Sequence, residues 1–96
     1  MELAVIKDKV RVALRKSKLD IEMVDEINDC VDSTLEDLKR SGANVNLSDP
    51  LVLEACKMNG KATFGYESES EKYKSCYEQL KKQLGMYSPY KSDSNG

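Results

Sequence analysis

The sequence contains no histidine and no tryptophan, and it has only two prolines and one phenylalanine. Histidine is the commonest general base in enzymes, so its absence disfavours acid–base catalysis. A membrane-spanning helix needs about 20 consecutive apolar residues, and the chain has no such run. No serine lies in a nucleophile elbow and no glycine-rich phosphate loop is present. We therefore expect neither an enzyme nor a membrane protein, and we predict no cofactor.

The three cysteines are Cys30, Cys56 and Cys76, and their wide spacing differs from the close pairs of a zinc site. Each falls on a different predicted helix near apolar residues, so we expect small buried side chains rather than metal or redox chemistry. The charged run at 7–9 interrupts the first apolar stretch, which argues against a signal peptide. We therefore expect a cytosolic site of synthesis, where thiols stay reduced.

The composition is typical of one small helical domain, with 40% apolar and 33% charged residues among 96. It predicts an all-α protein: a compact bundle of about four helices over residues 1–85, followed by a flexible C-terminal tail over 86–96. The tail carries bulky groups on a segment too short for a core of its own: Met86, Tyr87, Pro89 and Tyr90. These residues either fold back on the bundle or become ordered when they bind a partner.

Apolar residues recur at three- and four-residue steps in the first two helices, which we place at about 2–15 and 21–40. Asp20 is the expected N-cap of the second helix, and Ser41-Gly42 is its stop signal. The apolar stripe of this helix runs from Ile21 to Leu38 with a near-heptad period, and the opposite face is acidic from Asp20 to Asp37.

The predicted third helix has residues typical of helix termini at both of its ends. Asp49 suits the N-cap, Pro50 suits the first helical position, and Gly65 can adopt the left-handed conformation that closes a helix. Gly60 lies in the interior of this helix, where glycine costs about 1 kcal/mol relative to alanine. We therefore expect the third helix to be short, bent or interrupted.

The fourth helix is predicted to begin at a capping box, Ser68-Glu69-Ser70-Glu71, and to end at Gly85. Its apolar stripe includes Tyr73 and Tyr77, whose helical spacing predicts that both lie in the core.

The first helix is strongly basic, with a candidate functional face formed by Lys7, Arg11, Arg15 and Lys18. Such a face can neutralise phosphates, which is one interpretation. The net charge of −2 argues against a dedicated DNA-binding protein. The other interpretation is that the basic first helix and the acidic second helix attract each other, within one fold or between subunits. Between subunits this contact would be heterologous, and heterologous contacts generate rings when the rotation closes.

The order of these elements resembles the small head–tail connector proteins of tailed bacteriophages, also called adaptor or head-completion proteins. The resemblance covers about nine-tenths of the chain and lies in four stretches: Lys9–Arg15, Val24–Lys39, Asp49–Tyr66 and Glu71–Leu80. It implies an all-α virion protein, made in the bacterial host cytoplasm, that forms a ring beneath the portal. The implied partners are the portal protein, a neighbouring connector or tail-completion protein and further copies of the chain. It also implies passive contact with channel DNA.

The resemblance further implies docking on the portal through the C-terminal segment, which corresponds here to Met86–Tyr90. The alternative is a small cytosolic helical regulator that binds nucleic acid through the basic first helix. Salt-dependent affinity for duplex DNA would favour that alternative, because phosphate contacts weaken steeply as the salt concentration rises.

Overall fold

The computed structural model describes residues 2–43 and 45–86. This part of the chain forms four α-helices: α1 (Leu3–Ala13), α2 (Ile21–Arg40), α3 (Pro50–Phe64) and α4 (Ser70–Met86), with a 3₁₀ turn at Glu67–Glu69 before α4. The all-α bundle expected from the sequence is therefore confirmed. The predicted tail residues Tyr87, Pro89 and Tyr90 lie outside the described residues. None of the described helices is long and apolar enough to cross a bilayer.

α3 contacts each of the other three helices, and two buried clusters form around it. One cluster joins α1, α2 and α3 through Ile6, Val10, Ile27, Val31 and Cys56. The other joins α2, α3 and α4 through Leu38, Ala43, Val52, Ala55, Tyr77 and Leu84. Each large aliphatic side chain contributes about 1.5–3 kcal/mol when it is fully buried. α1 and α4 therefore depend on separate halves of the core, and both halves include α3.

The helix ends follow the sequence signals in α2 and at the start of α3. The Asp20 carboxylate accepts a hydrogen bond from the Met23 amide at 3.1 Å, and that of Asp49 accepts one from the Leu51 amide at 2.9 Å. At the end of α2, Gly42 adopts a φ of 98°, and the Ala43 amide bonds back to the Leu38 carbonyl. This is the Schellman arrangement, which favours glycine because of its positive φ.

Gly60 does not interrupt α3, which runs unbroken for 15 residues, so the expectation of a short or bent helix is wrong. Gly60 is buried where α1 crosses it: a Cβ atom at this position would lie 3.3 Å from Val10 Cγ1 and 3.4 Å from Leu14 Cδ1. The missing side chain lets the two helices approach closely. The packing of α1 thus offsets the low helix propensity of glycine.

Three further expectations about helix ends are wrong. Gly65 has an extended backbone (φ −83°), and glycine is required there for space, because a Cβ would lie 2.5 Å from the Lys61 carbonyl oxygen. The capping box does not form: Ser68 lies in the 3₁₀ turn, and Ser70 Oγ donates to the Ala62 carbonyl instead. α4 continues through Gly85, which faces the Ser41 carbonyl at close range, so Met86 is helical.

A polar cluster joins α2 to α4. The Tyr77 hydroxyl donates to Asp37 Oδ2 at 2.6 Å, and Lys81 Nζ donates to the same oxygen at 2.8 Å. The hydrogen bond from Lys81, followed by that from Tyr77, lowers the pKa of the Asp37 carboxyl below its usual value. Burial, reinforced by Asp37, raises the pKa of the Tyr77 hydroxyl. The cluster thus satisfies the polar end of a buried tyrosine.

Replacing Gly60 with leucine should destabilise the protein by at least about 1 kcal/mol, because overpacking against Val10 and Leu14 outweighs the gain in helix propensity. Urea denaturation would measure the loss. Thr63→Leu is the matched control, since Thr63 is an exposed residue of the same helix. Equal stability of the two variants would show that α1 does not need the space at Gly60.

Asp37→Asn should lower the free energy of unfolding by about 1 kcal/mol at neutral pH, because the partly exposed charge pair with Lys81 is lost. The folded pKa of Asp37 is depressed, so its stabilising effect exists above the unfolded pKa of about 3.9 and disappears as the pH falls through the folded value. Urea titrations of variant and wild type should therefore differ most at pH 7, and the difference should shrink as the pH is lowered through the folded pKa of Asp37. Glu36→Gln, which removes an exposed neighbouring charge, should show a much smaller difference.

Candidate functional site

The structure divides the basic face predicted on the first helix into two parts. Lys7 Nζ lies 3.2 Å from an Asp32 carboxylate oxygen of α2, so it links the two helices. The Arg11 guanidinium lies 2.7 Å from Asp8 and also donates to the Lys16 carbonyl at 2.7 Å. Its side chain is only 16% exposed. Lys7 and Arg11 are therefore largely used within the fold, whereas Arg15 and Lys18 are exposed.

Arg15 is the only non-glycine residue with a positive φ (58°) among those described. It occupies the position after the C-cap of α1, where the Lys16 amide bonds back to the Arg11 carbonyl at 3.2 Å. Glycine suits this position best, and another L-residue costs about 1–2 kcal/mol there. An arginine at this strained position suggests that its side chain has a use, because strain of this kind is concentrated at functional sites.

A cleft of about 540 Å³ opens beside Arg15. The described residues that line it come from the end of α1, the end of α3, the junction between α3 and α4, and the first turns of α4: Ala13, Leu14, Arg15, Lys16, Lys61, Phe64, Gly65, Tyr66, Glu69 and Tyr73. Three of these residues are cations, one is an anion and three are aromatic. The volume lies within the range of binding clefts, about 300–1,000 Å³.

The aromatic residues of the cleft are only partly covered by the protein. Tyr66 is 84% exposed at its rim. Tyr73, expected in the core, is half-buried, with the ammonium groups of Lys61 and Lys72 each 5.4 Å from its ring centre. Tyr77 is buried as expected. The cleft thus combines ring faces with positive charge, a pairing that attracts anionic and apolar groups together.

A second charged surface lies along the first half of α2. We call Glu22, Asp25, Glu26 and Asp29 the acid row, since their spacing places them on one side of the helix. All four are exposed, and none forms an ion pair with a described residue. Like charges three or four positions apart each cost about 0.2–0.5 kcal/mol, so the row destabilises an isolated α2 by roughly 1 kcal/mol.

Two large apolar side chains lie exposed next to the acid row. Leu19 is 85% exposed and Ile21 is 73% exposed. The sequence predicted that Ile21 belongs to the buried stripe of α2, but Ile21 is exposed. Met23 packs partly buried against the core, and Ile27 is the first fully buried residue of the helix. Leu19 and Ile21 lie at the bundle end that carries the cleft, because the α1–α2 connection follows directly after Lys16.

The thiols show little sign of reactive chemistry. Burial raises the pKa of Cys56 to about 12 and also raises the pKa of Cys30, so both stay protonated at neutral pH. Cys56 is buried and Cys30 is half-buried, but Cys76 is exposed on α4, so the expectation that all three cysteines are buried is wrong for Cys76 and only partly met by Cys30. Within residues 2–43 and 45–86, no group of histidine, cysteine, aspartate and glutamate side chains is arranged to hold a metal ion.

Sequence reasoning found Arg15 and the acidic face of α2 but missed the cleft. The packing of α1 on α3 places Lys61, Phe64 and Tyr66 near Arg15. The spacing of these residues in the sequence does not indicate that contact. The one sequence signal for this contact was Gly60. We interpreted it as a residue that weakens the third helix rather than as the point where α1 crosses α3. Met86, expected at a partner interface, is 69% exposed at the far end of α4.

Comparison of the chain with protein-family models, curated proteins and solved structures gives no match. The resemblance to phage connectors therefore depends on the sequence stretches alone.

Arg15→Gly should raise the free energy of unfolding by about 0.5–1 kcal/mol, because the strain of the left-handed backbone is relieved at the cost of some unfolded-state entropy. Urea denaturation would measure the change. Lys18→Gly is the control: it removes a nearby exposed cation without relieving a positive φ and should lower stability slightly. A lower stability for Arg15→Gly than for wild type would contradict the assignment of strain to Arg15.

Proposed function

We propose that the protein is a virion structural protein that forms a ring beneath the portal and connects the DNA-filled head of a tailed phage to its tail. In this proposal it is an assembly protein and not an enzyme. The observation that supports an assembly role most directly is the surface: exposed Leu19, Ile21 and Tyr66 lie at the bundle end that bears the cleft. The resemblance of the four sequence stretches supplies the specific class.

A ring protein between two assemblies needs a stable small bundle and complementary surfaces, and it needs no reaction chemistry. The described residues fit this requirement through the two-part core, the unpaired acid row and the basic aromatic cleft. Exposed apolar groups next to unpaired charges are typical of surfaces that become covered by a partner.

The proposed partners are the portal protein, a neighbouring connector or tail-completion protein and other copies of the chain, with passive contact to channel DNA. The proposed portal-binding segment consists of Met86, Tyr87, Pro89 and Tyr90. Met86 is the exposed last residue of α4 and lies at the end of that helix opposite the cleft. This separation would let one end bind the portal while the other contacts neighbouring subunits.

The alternative, a cytosolic nucleic-acid-binding regulator, has weaker support. Lys7 and Arg11, two of the four cations proposed to contact phosphates, are held by Asp32 and Asp8. The acid row would repel a phosphate backbone approaching α2 from its exposed side. Arg15 and Lys18 remain for such a contact, so the alternative is included in the test below.

The proposal is tested by co-sedimentation of the purified protein with DNA-filled, tailless heads that carry the portal. Parallel tubes contain duplex DNA at low and at about 150 mM salt, because phosphate contacts weaken with salt. We expect saturable pelleting with heads and none with free DNA at the higher salt. Binding to DNA alone, lost as the salt rises, would overturn the connector proposal in favour of the regulator.

The portal-binding segment is tested with Tyr87→Ser/Tyr90→Ser, which keeps the length of the chain. We expect this variant to lose pelleting with heads while its urea denaturation curve stays unchanged. Ser88→Ala/Ser92→Ala is the matched control on the same segment and should pellet like wild type. Full binding of the tyrosine variant would move the portal contact to another surface.

A further inference from the structure

We propose that the cleft of one copy receives the acid row of a second copy, with Leu19 and Ile21 of the second copy against the aromatic rim of the first. This inference rests on the proposed role in a ring and identifies the surfaces that join its subunits. It also revises the basic side of the contact, from the first helix as a whole to Arg15, Lys16 and Lys61.

Charge complementarity is the first argument. Arg15, Lys16 and Lys61 give the cleft three cations against the single anion Glu69. The acid row presents four exposed carboxylates that form no ion pair with the described residues. Opposite fields of this kind steer association and fix the register of two surfaces.

Apolar complementarity is the second argument, because charge alone does not explain the exposed side chains. Leu19 and Ile21 flank the start of the acid row and are among the most exposed apolar residues described. Phe64, Tyr66 and Tyr73 supply ring surface in the cleft. A partner that brought carboxylates without apolar groups would leave the rings uncovered, whereas this end of α2 brings both.

The position of the two surfaces is the third argument. Every described residue that lines the cleft belongs to α1, α3, α4 or the connections beside them, and none belongs to α2. The two surfaces therefore share no residue. A contact between them is heterologous, so copies join head to tail, and such contacts close into rings when the rotation allows.

The strain at Arg15 is consistent with this use. Glycine would serve the backbone better at a φ of 58°, but glycine would remove a cation from the mouth of the cleft. Arg15→Gly should therefore be more stable than wild type and yet weaker in self-association. A variant that only damaged the fold would lower both stability and self-association. Measuring the two together therefore separates an effect on docking from an effect on folding.

The decisive experiment is sedimentation velocity of charge-reversed variants at low and at about 150 mM salt. The cleft variant is Arg15→Glu/Lys16→Glu, and the row variant is Asp25→Lys/Asp29→Lys. Each variant alone should associate about tenfold or more weakly than wild type, because like charges then face each other. Mixing the two should restore association, since each row then meets a cleft of opposite charge.

Lys74→Glu/Lys82→Glu is the matched control for the cleft variant, because it makes the same change in net charge with two exposed residues of α4 that line neither the cleft nor the acid row. It should associate like wild type.

Two results would overturn the inference. One is a mixture of the cleft and row variants that does not associate, and the other is a wild-type protein that stays monomeric at every concentration and salt. Neither result bears on binding to phage heads, which co-sedimentation measures separately. The proposed subunit contact and the proposed connector role are therefore tested independently. Association of the wild type only when single-stranded DNA is added would overturn it in favour of a nucleic-acid cleft.

Discussion

The close approach of α1 to α3 at Gly60 is the contact on which the rest of the molecule depends. Val10 and Leu14 lie against the bare backbone of Gly60, and this packing closes the half of the core that contains Ile6 and Ile27. It also fixes where α1 ends. Because α1 crosses α3 four residues before Phe64, the turn after α1 lies beside the α3–α4 junction. The close approach at Gly60 thus places Arg15 and Lys16 near Lys61 and Phe64, which line the cleft together.

Charge is distributed in two ways across this small surface. Some charged side chains form ion pairs within the fold: Lys7 with Asp32 joins α1 to α2, and Lys81 with Asp37 joins α4 to α2. Partly exposed pairs of this kind contribute little stability each, but they fix which helix faces meet. Two groups of charges are segregated instead: three cations line the cleft, and four carboxylates form the acid row. Segregation destabilises the isolated subunit slightly, and a partner of opposite charge would reverse that effect.

The local signals in the sequence predicted the helices well, because capping and periodicity act over a few residues. Asp20, Asp49 and Gly42 behave as their types suggest. The errors arose where a distant segment decides the outcome. Gly60 and Gly85 are glycines because another helix or a carbonyl group lies close to them, and Ser70 bonds to the end of α3. The cleft is of the same kind: among its residues only Arg15 was predicted to belong to a functional surface, because tertiary packing brings the others together.

Assembly of the proposed ring does not require a strong contact between free subunits. An exposed ionic contact between free subunits is weak and weakens further with salt, so in the proposed assembly newly made copies would stay apart. A portal that binds the far end of each bundle would hold several copies side by side. The next contact would then form at a high effective concentration, and ring closure would make every contact intramolecular. Modest, salt-sensitive surfaces at one end of the bundle and a separate anchoring segment at the other therefore suit assembly that is triggered by the partner.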